Sequence, residues 1–525
     1  MNIYLIGICI SFVVYLVISF VIGRKVKDAN DFFVAGRKAP VGLIVGSMIA
    51  SYVSTGMFMG DAGEYYSGLF SPMTILATMQ VAGYIYGAVF FGCYLRRSEV
   101  YTIPEFFGKR FCSEKVRILA TVTSIITMVV YLLSVVQGIG TLMSFITGLE
   151  YNLCIVLSLI VFVFITMFSG ASGVLITDTI MFAVFTGALV LSAIVIIFKA
   201  GGWSNVVEQL TNMVDKPGLL SWGGNTEYMY SDPWMNVGWG IVYGVVWMSV
   251  CMAGPWQSSR YLMAKNEHTV IRSSLYSAFG IFALQLIVGM TAVTINVFSP
   301  EMSSASHVLI WGATNLLPTL LGVILLTGVL AAGISSATTF LSLVGSSVAN
   351  DIFRGKGNSI RIGRYSMLAV AIVVLLLAVF NPPQILVIMY FGGTIVAASW
   401  LPVCVASILS KRVTKEGAFW GMLMGFFGCF FVKLFTHFSG ITLPVYLDPT
   451  VVGMVMNIIT LVLVSMFTKV TEEEKEARAK LFIIPESEKD PVEIKKTKTH
   501  LMLAVLLGVI VFVVLALVWA IPVMF

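Results

Sequence analysis

The chain has 525 residues, of which 58% are hydrophobic and 11% charged, with a net charge of +6. A soluble domain carries about 25% charged residues, so this chain cannot cover itself with polar surface, and lipid must be its solvent. A large soluble catalytic domain is excluded, and the basic excess has to be read from where the charges sit.

A spanning helix needs about 20 apolar residues, and the pattern predicts fourteen of them. The first run, Ile3 to Gly23, is too long for a signal-peptide core. It ends in Arg24-Lys25 with no small-residue cleavage site, so it is read as a retained helix. The others fall at 41–68, 71–95, 118–146, 152–168, 173–199, 234–256, 274–298, 317–349, 366–380, 384–410, 417–437, 450–468 and 501–524. Lys and Arg set the orientation. With the N-terminus outside, the inner segments 24–40, 96–117, 257–273, 350–365, 410–416 and 469–500 hold 29 of the 32 basic residues. One span more or fewer in mid-chain would spoil this asymmetry. Both termini are therefore expected outside a cell membrane, inner or plasma. The charge records topology, and no nucleic-acid partner is expected. The longest outer loop is 200–233. The inner segment 469–500, with Glu472-Glu473-Glu474-Lys475-Glu476, is expected to be a solvated connector. The seven cysteines are scattered and read as free thiols, and the four isolated histidines show no metal site.

Apolar helices only hold a bundle together, so function is sought where the pattern breaks. The run 41–68 contains Ala50-Ser51-Tyr52-Val53-Ser54-Thr55-Gly56-Met57, then Asp61 and Glu64. Small and hydroxyl residues at mid-membrane let a helix unwind, and freed carbonyls are costly in lipid unless they line a wet site. The bland alternative is close helix packing through small residues. The run 173–199 carries Asp178, a carboxylate that inside a span wants a cation or a proton. The alternative is a helix N-terminal acid still reached by water. The run 317–349 contains Ala332 and Ser335-Ser336-Ala337-Thr338-Thr339. One carbonyl and two hydroxyls within a turn give three hard oxygens, the ligands a small hard cation prefers. The alternative is hydroxyls bonded back to their own helix.

Smaller polar points are Gln80, Gln137, Trp239, Tyr243 and Trp247, and the run 234–256 ends in Gly254-Pro255-Trp256-Gln257. A Gly-Pro pair is an expected break. Counting from 41–68 as one, the broken helices are the first and sixth of ten, the spacing of two inverted five-helix repeats.

At these residues the sequence resembles the sodium:solute symporter family. The landmarks are Asp31-Phe32-Phe33-Val34-Ala35-Gly36-Arg37, Tyr101-Thr102-Ile103-Pro104-Glu105-Phe106, Thr177-Asp178, and Ala332-x-x-Ser335-Ser336 leading to Asn350-Asp351-Ile352. The resemblance implies an all-α, leucine-transporter-like fold of ten core helices, with one helix before and three after. It implies a sodium ion held at Ala50, Val53, Ala332, Ser335 and Ser336. A second sodium would lie at Asp178, Thr338 and Thr339. The solute would lie around Ser54, Thr55, Met57, Gln80, Gln137, Trp239 and Tyr243. Tyr52-Val53-Ser54, Gln80 and Gln137 look closest to the pantothenate and carboxylate branch. Met181 stands where the family often has Gln, and Asp61 is a departure.

The expectation is a sodium-coupled symporter importing a small organic solute (an organic anion, vitamin, amino acid or sugar) and working as a monomer in the bilayer. Its parts are 1–40 (an added helix and inner loop), 41–199 (first repeat), 200–233 (outer loop), 234–410 (second repeat) and 411–525 (three further helices). No enzymatic constellation is visible. The rivals are a proton-coupled carrier of the same fold and a transporter-like solute sensor.

Overall fold

The computed structural model describes residues 3–24, 26–356, 358–380 and 384–520. Twelve helices there are long and apolar enough to cross a bilayer. The pair Val41–Tyr52 and Gly56–Ser67, bent by 52°, makes a thirteenth span. The expected fourteen is reached only if Tyr151–Lys199 crosses twice. That helix has 49 residues, about 73 Å at 1.5 Å per residue, against a hydrocarbon core of about 30 Å. Gly170 interrupts it with φ 56° and ψ −157°. Around this turn, Gly23 lies against the Phe168 carbonyl and Gly170 against Phe32. At the two ends, Ile155 packs on Gly140 and Ile196 on Gly312. Phe145, in the helix that carries Gly140, packs at a tilt against His307, just before Gly312. Both ends therefore reach one face of the bundle while Gly170 reaches the other, so the segment is a hairpin of helices.

Burial sorts the spans. Thr319–Ile352 is the most enclosed, with 83% of its apolar window buried, whereas Ile3–Gly23 has 17% and Pro491–Leu515 none. The hydroxyl-rich helix is thus the central post, and the helices at either end of the chain present their apolar sides outward, as lipid demands. Pro233–Ala253 ends at Gly254, and Pro255–Met263 resumes at once. The Gly-Pro break is therefore present, beside the break at Val53-Ser54. The run expected to be short, 366–380, belongs to the 22-residue helix Ser359–Phe380. Its basic first turns are helical too, with Arg364 over the Phe32 ring.

The motifs singled out from sequence meet on the basic face. Thr102 caps its helix and donates to Asp351 Oδ1 at 2.7 Å, and Arg117 Nε pairs with the same oxygen at 3.2 Å. Arg37 donates to the carbonyls of Glu99 and Val100. Ala39 donates its amide to the Met263 carbonyl and accepts the Lys265 amide, tying the foot of the first broken helix to that of the second. The connector at 469–500 is docked, not simply solvated. Thr471 and Glu474 form a capping box at the start of Glu472–Leu481. Glu474 is fully buried and accepts from the Lys415 amide, while Arg478 donates to the Ile408 carbonyl. On the opposite face, the 200–233 loop sends Lys216 Nζ to the Tyr66 carbonyl (3.0 Å) and Asn296 Oδ1 (2.6 Å). Burial of that amine lowers its pKa to about 8.

Gly170→Ala is expected to destabilise the protein. A Cβ there would meet the Phe32 carbonyl at 2.6 Å, in a backbone region costing a non-glycine residue about 1–3 kcal/mol. Thermal unfolding in detergent should show a drop of several degrees, and an unchanged midpoint would contradict the hairpin turn.

Candidate functional site

The first break comes at Val53 and Ser54, where Val53 takes φ −70° and ψ 113°. Ser54 holds the restart, its Oγ accepting the Gly56 amide at 3.1 Å. Gly56–Asp61 then runs as a wide, π-type turn, a geometry enriched at functional sites. Thr55 is wedged between neighbours that only glycine permits. A Cβ on Gly138 would meet Thr55 Oγ1 at 2.5 Å, and one on Gly333 would meet Thr55 Cγ2 at 3.0 Å.

The central post answers the break. Ser335 Oγ lies 2.8 Å from the Ala50 carbonyl and 2.8 Å from the Ala332 carbonyl. Ser336 Oγ lies 3.2 Å from the Ala332 carbonyl and 3.5 Å from that of Ser51. Four of the five residues expected at the first sodium site, Ala50, Ala332, Ser335 and Ser336, therefore converge, and Ser51 joins them. Val53 is adjacent in the chain, with its amide bonded to the Ile49 carbonyl. These are uncharged hard oxygens, buried and close together, the donor set a small hard cation takes.

The expected second site has another content. Asp178 Oδ2 accepts from Ser47 Oγ at 2.7 Å and from Arg260 Nη2 at 3.0 Å, and the same Nη2 reaches Thr339 Oγ1 at 2.7 Å. Asp178 and Thr339 do share a cation, and it is a guanidinium. Arg260 also donates to Ser47 Oγ, Ser259 Oγ and the Trp256 carbonyl. Arg260 is 1% exposed and Asp178 fully buried. Thr338 takes no part, since its hydroxyl bonds back to Ile334 and Ser335. Arg260 reads in sequence as one more inner-loop charge. The Gly254-Pro255 break turns it back into the bundle.

The residues expected around the solute divide into two flanks. On one, Tyr52 OH donates to Gln80 Oε1, and Gln80 Nε2 donates to Gln285 Oε1 at 2.8 Å. Trp239 and Tyr243 pack on Tyr390, with ring centroids 6.1 and 4.6 Å away. Trp247 packs on Tyr52 and Tyr390 at 5.3 and 6.0 Å. On the other flank, Gln137 accepts the Gln384 amide at 3.1 Å, and Thr55 Oγ1 donates to the Val135 carbonyl. Ser54 Oγ lies 3.4 Å from Tyr131 OH, and Met57 is buried beside it. Sequence reasoning missed Ser47, Gln257, Arg260, Gln285 and Tyr390. Gln257 bridges the two breaks, taking a bond from Tyr84 OH and donating to Ser51 Oγ. A lone amide within an apolar run was the available signal for Gln285.

Arg260→Gln strands Asp178 without its cation and is expected to cost about 3–5 kcal/mol. Adding Asp178→Asn should recover most of it. Thermal unfolding of both single variants and the double variant in detergent measures the coupling, and losses that simply add would contradict the pairing.

The sodium:solute symporter family model matches residues 32–425. The sodium/proline symporter of Escherichia coli (strain K12) is 23% identical over 444 residues, covering 80% of this chain and 86% of that protein. The osmoregulated proline transporter OpuE of Bacillus subtilis (strain 168) is 26% identical over 489 residues, covering 89% and 95%. Neither is named for pantothenate or a simple carboxylate. Among solved structures, a Na+-coupled sialic acid symporter in a substrate-bound outward-open state aligns with a TM-score of 0.74 at 17% identity, covering 90% of this chain and 99% of its own. A nucleobase-cation-symport-1 family transporter in a closed conformation aligns at 0.56 and 12% identity, covering 86% and 99%. These share the fold that the resemblance implies. The chain belongs to the sodium:solute symporter family, as a multi-pass membrane transporter that couples movement of a small solute to sodium.

Proposed function

We propose that this chain imports its solute with one sodium ion, held where the hydroxyl helix meets the broken helix. The observation that carries the reading is the contact of Ser335 and Ser336 with the Ala50, Ser51 and Ala332 carbonyls, none farther than 3.5 Å. Sodium would replace the hydroxyl protons as the positive partner of those carbonyls, with the Val53 carbonyl completing the set. The second cation position is served by Arg260, so coupling there is structural and permanent.

The mechanism is alternating access. The face carrying the 200–233 loop is outside and the basic face inside, in an inner or plasma membrane, following the distribution of Lys and Arg. Sodium pulls the broken helix onto the hydroxyl helix and favours the outward-open form. Solute then binds beside Ser54, Thr55 and Met57, between the Gln80 and Gln137 flanks, with Trp239 and Tyr243 above it. The two broken helices close over it. As the inner side opens, the hydroxyl pair separates from the Ala50 carbonyl and sodium leaves. One charge is worth about 2.3 kcal/mol per 100 mV, and a tenfold gradient adds about 1.4 kcal/mol. Together these support accumulation of several hundredfold, so a second sodium is not required. The protein works as a monomer and makes no covalent bond to its solute.

Ser335→Ala with Ser336→Ala removes two of the five oxygens. A hydrogen bond to a charged group is worth about 1.5–3 kcal/mol, so the sodium concentration that half-stabilises the protein should rise at least tenfold. Thermal unfolding in detergent against NaCl, with KCl as control, measures it. An unchanged midpoint concentration would refute the site.

A further inference from the structure

The second inference rests on the symport reading and names the class of solute. Asp61 is 3% exposed, in the wide turn just past the break. Its carboxylate accepts from Gln285 Nε2 at 3.2 Å and Tyr390 OH at 3.3 Å, both neutral donors. One turn on, Glu64 is 5% exposed. Its Oε1 accepts from Tyr228 OH at 3.2 Å, and its Oε2 has no hydrogen-bond partner among the described residues. Neither acid forms an ion pair with a Lys, Arg or His there. A charge in this environment is expensive unless paired. Asp178 is paired with Arg260 and Asp351 with Arg117, and the buried Glu474 is held by a capping box and the Lys415 amide. Asp61 and Glu64 have only the neutral side-chain donors named above.

Two further features point the same way. Tyr390, which donates to Asp61, is packed by Trp239, Tyr243 and Trp247, with centroids 4.6–6.1 Å from its own. Aromatic faces attract cations through their quadrupole. Glu64 also lines a cavity of ≈ 490 Å³, with Gly60, Gly63, Tyr228, His307 and Gln384. The cavity wall carries one carboxylate, Glu64, and no lysine or arginine, and Asp61 lies one turn away on the same segment.

We propose that the solute carries an organic ammonium group. Glu64 draws it into the cavity, Asp61 pairs with it, and the rings of Tyr390, Trp239, Tyr243 and Trp247 flank it. The shared chemistry covers protonated amines and methylated ammonium ions, with or without a carboxylate elsewhere in the molecule.

The test uses the full-length protein in detergent and reads thermal stability in NaCl and in KCl, since choline is itself a candidate and cannot replace sodium. The probes are tetramethylammonium, choline, glycine betaine and proline, against pyruvate, pantothenate and glucose. Sodium-dependent stabilisation by at least one ammonium compound, weakened at least tenfold by Asp61→Asn and retained by Asp61→Glu, is expected. Tetramethylammonium and choline against betaine and proline separate simple cations from zwitterions. Should Asp61→Asn not fold, Tyr390→Phe, which removes one donor and keeps the ring, should shift the affinity for the same compound. Stabilisation confined to pyruvate, pantothenate or glucose, or no gain from any ammonium compound, overturns the proposal. Sodium acting alone separates the two readings. If it stabilises the wild type and the ammonium compounds do not, only the ammonium assignment falls. If it does not stabilise at all, the symport reading fails and takes the assignment with it.

Discussion

A helix broken inside a bilayer must give its freed carbonyls a partner, because the hydrocarbon offers none. That constraint organises this molecule. The break at Val53 and Ser54 leaves carbonyls at Ala50 and Ser51 to be met from outside their own helix, and Ser335 and Ser336 meet them. The most enclosed helix of the bundle therefore carries the hydroxyl cluster Ser335-Ser336-Ala337-Thr338-Thr339, which pure packing would not call for. A hydroxyl can face a carbonyl as donor or a cation as ligand. The same contact can hold the bundle shut or accept an ion, and a device that must alternate between two states needs such a contact.

Charge is arranged around that contact by two different rules. Below the break, Asp178 Oδ2 is paired with Arg260, positioned by the second break at Gly254-Pro255. Above it, Asp61 and Glu64 have only neutral donors. Internal pairing turns a costly carboxylate into a structural joint. Leaving one unpaired keeps it available to something that arrives and departs. The 200–233 loop and the basic-face clasp of Thr102, Arg117 and Asp351 tie segments together at the two ends of the bundle.

Much of this was legible in the residues. The apolar runs and the basic segments located the spans. Glycine and hydroxyl density located the first break, the Gly254-Pro255 pair the second, and the hydroxyl cluster at 332–339 pointed to where the oxygens converge. Arg260 was invisible because a basic residue just after a span reads as topology. Only the geometry after Gly254 shows that it points inward. Gln285 stood out only as a lone amide in an apolar run, and neither it nor Tyr390 has a visible partner until the helices are assembled. The hairpin at Gly170 was read as two helices, and the structure adds why glycine is needed there. The connector at 469–500 looked solvated because its charge is high. Its docking depends on backbone carbonyls and amides, which composition does not reveal.

The account turns on one sodium bridging the broken helix and the hydroxyl helix, with Arg260 serving the position beside Asp178. The most direct test is equilibrium binding of radioactive sodium to the purified full-length protein, counted per chain. One ion per chain, unaffected in number by Asp178→Asn, is the predicted result. Two ions per chain, or a count that falls when only Asp178 is changed, would contradict it.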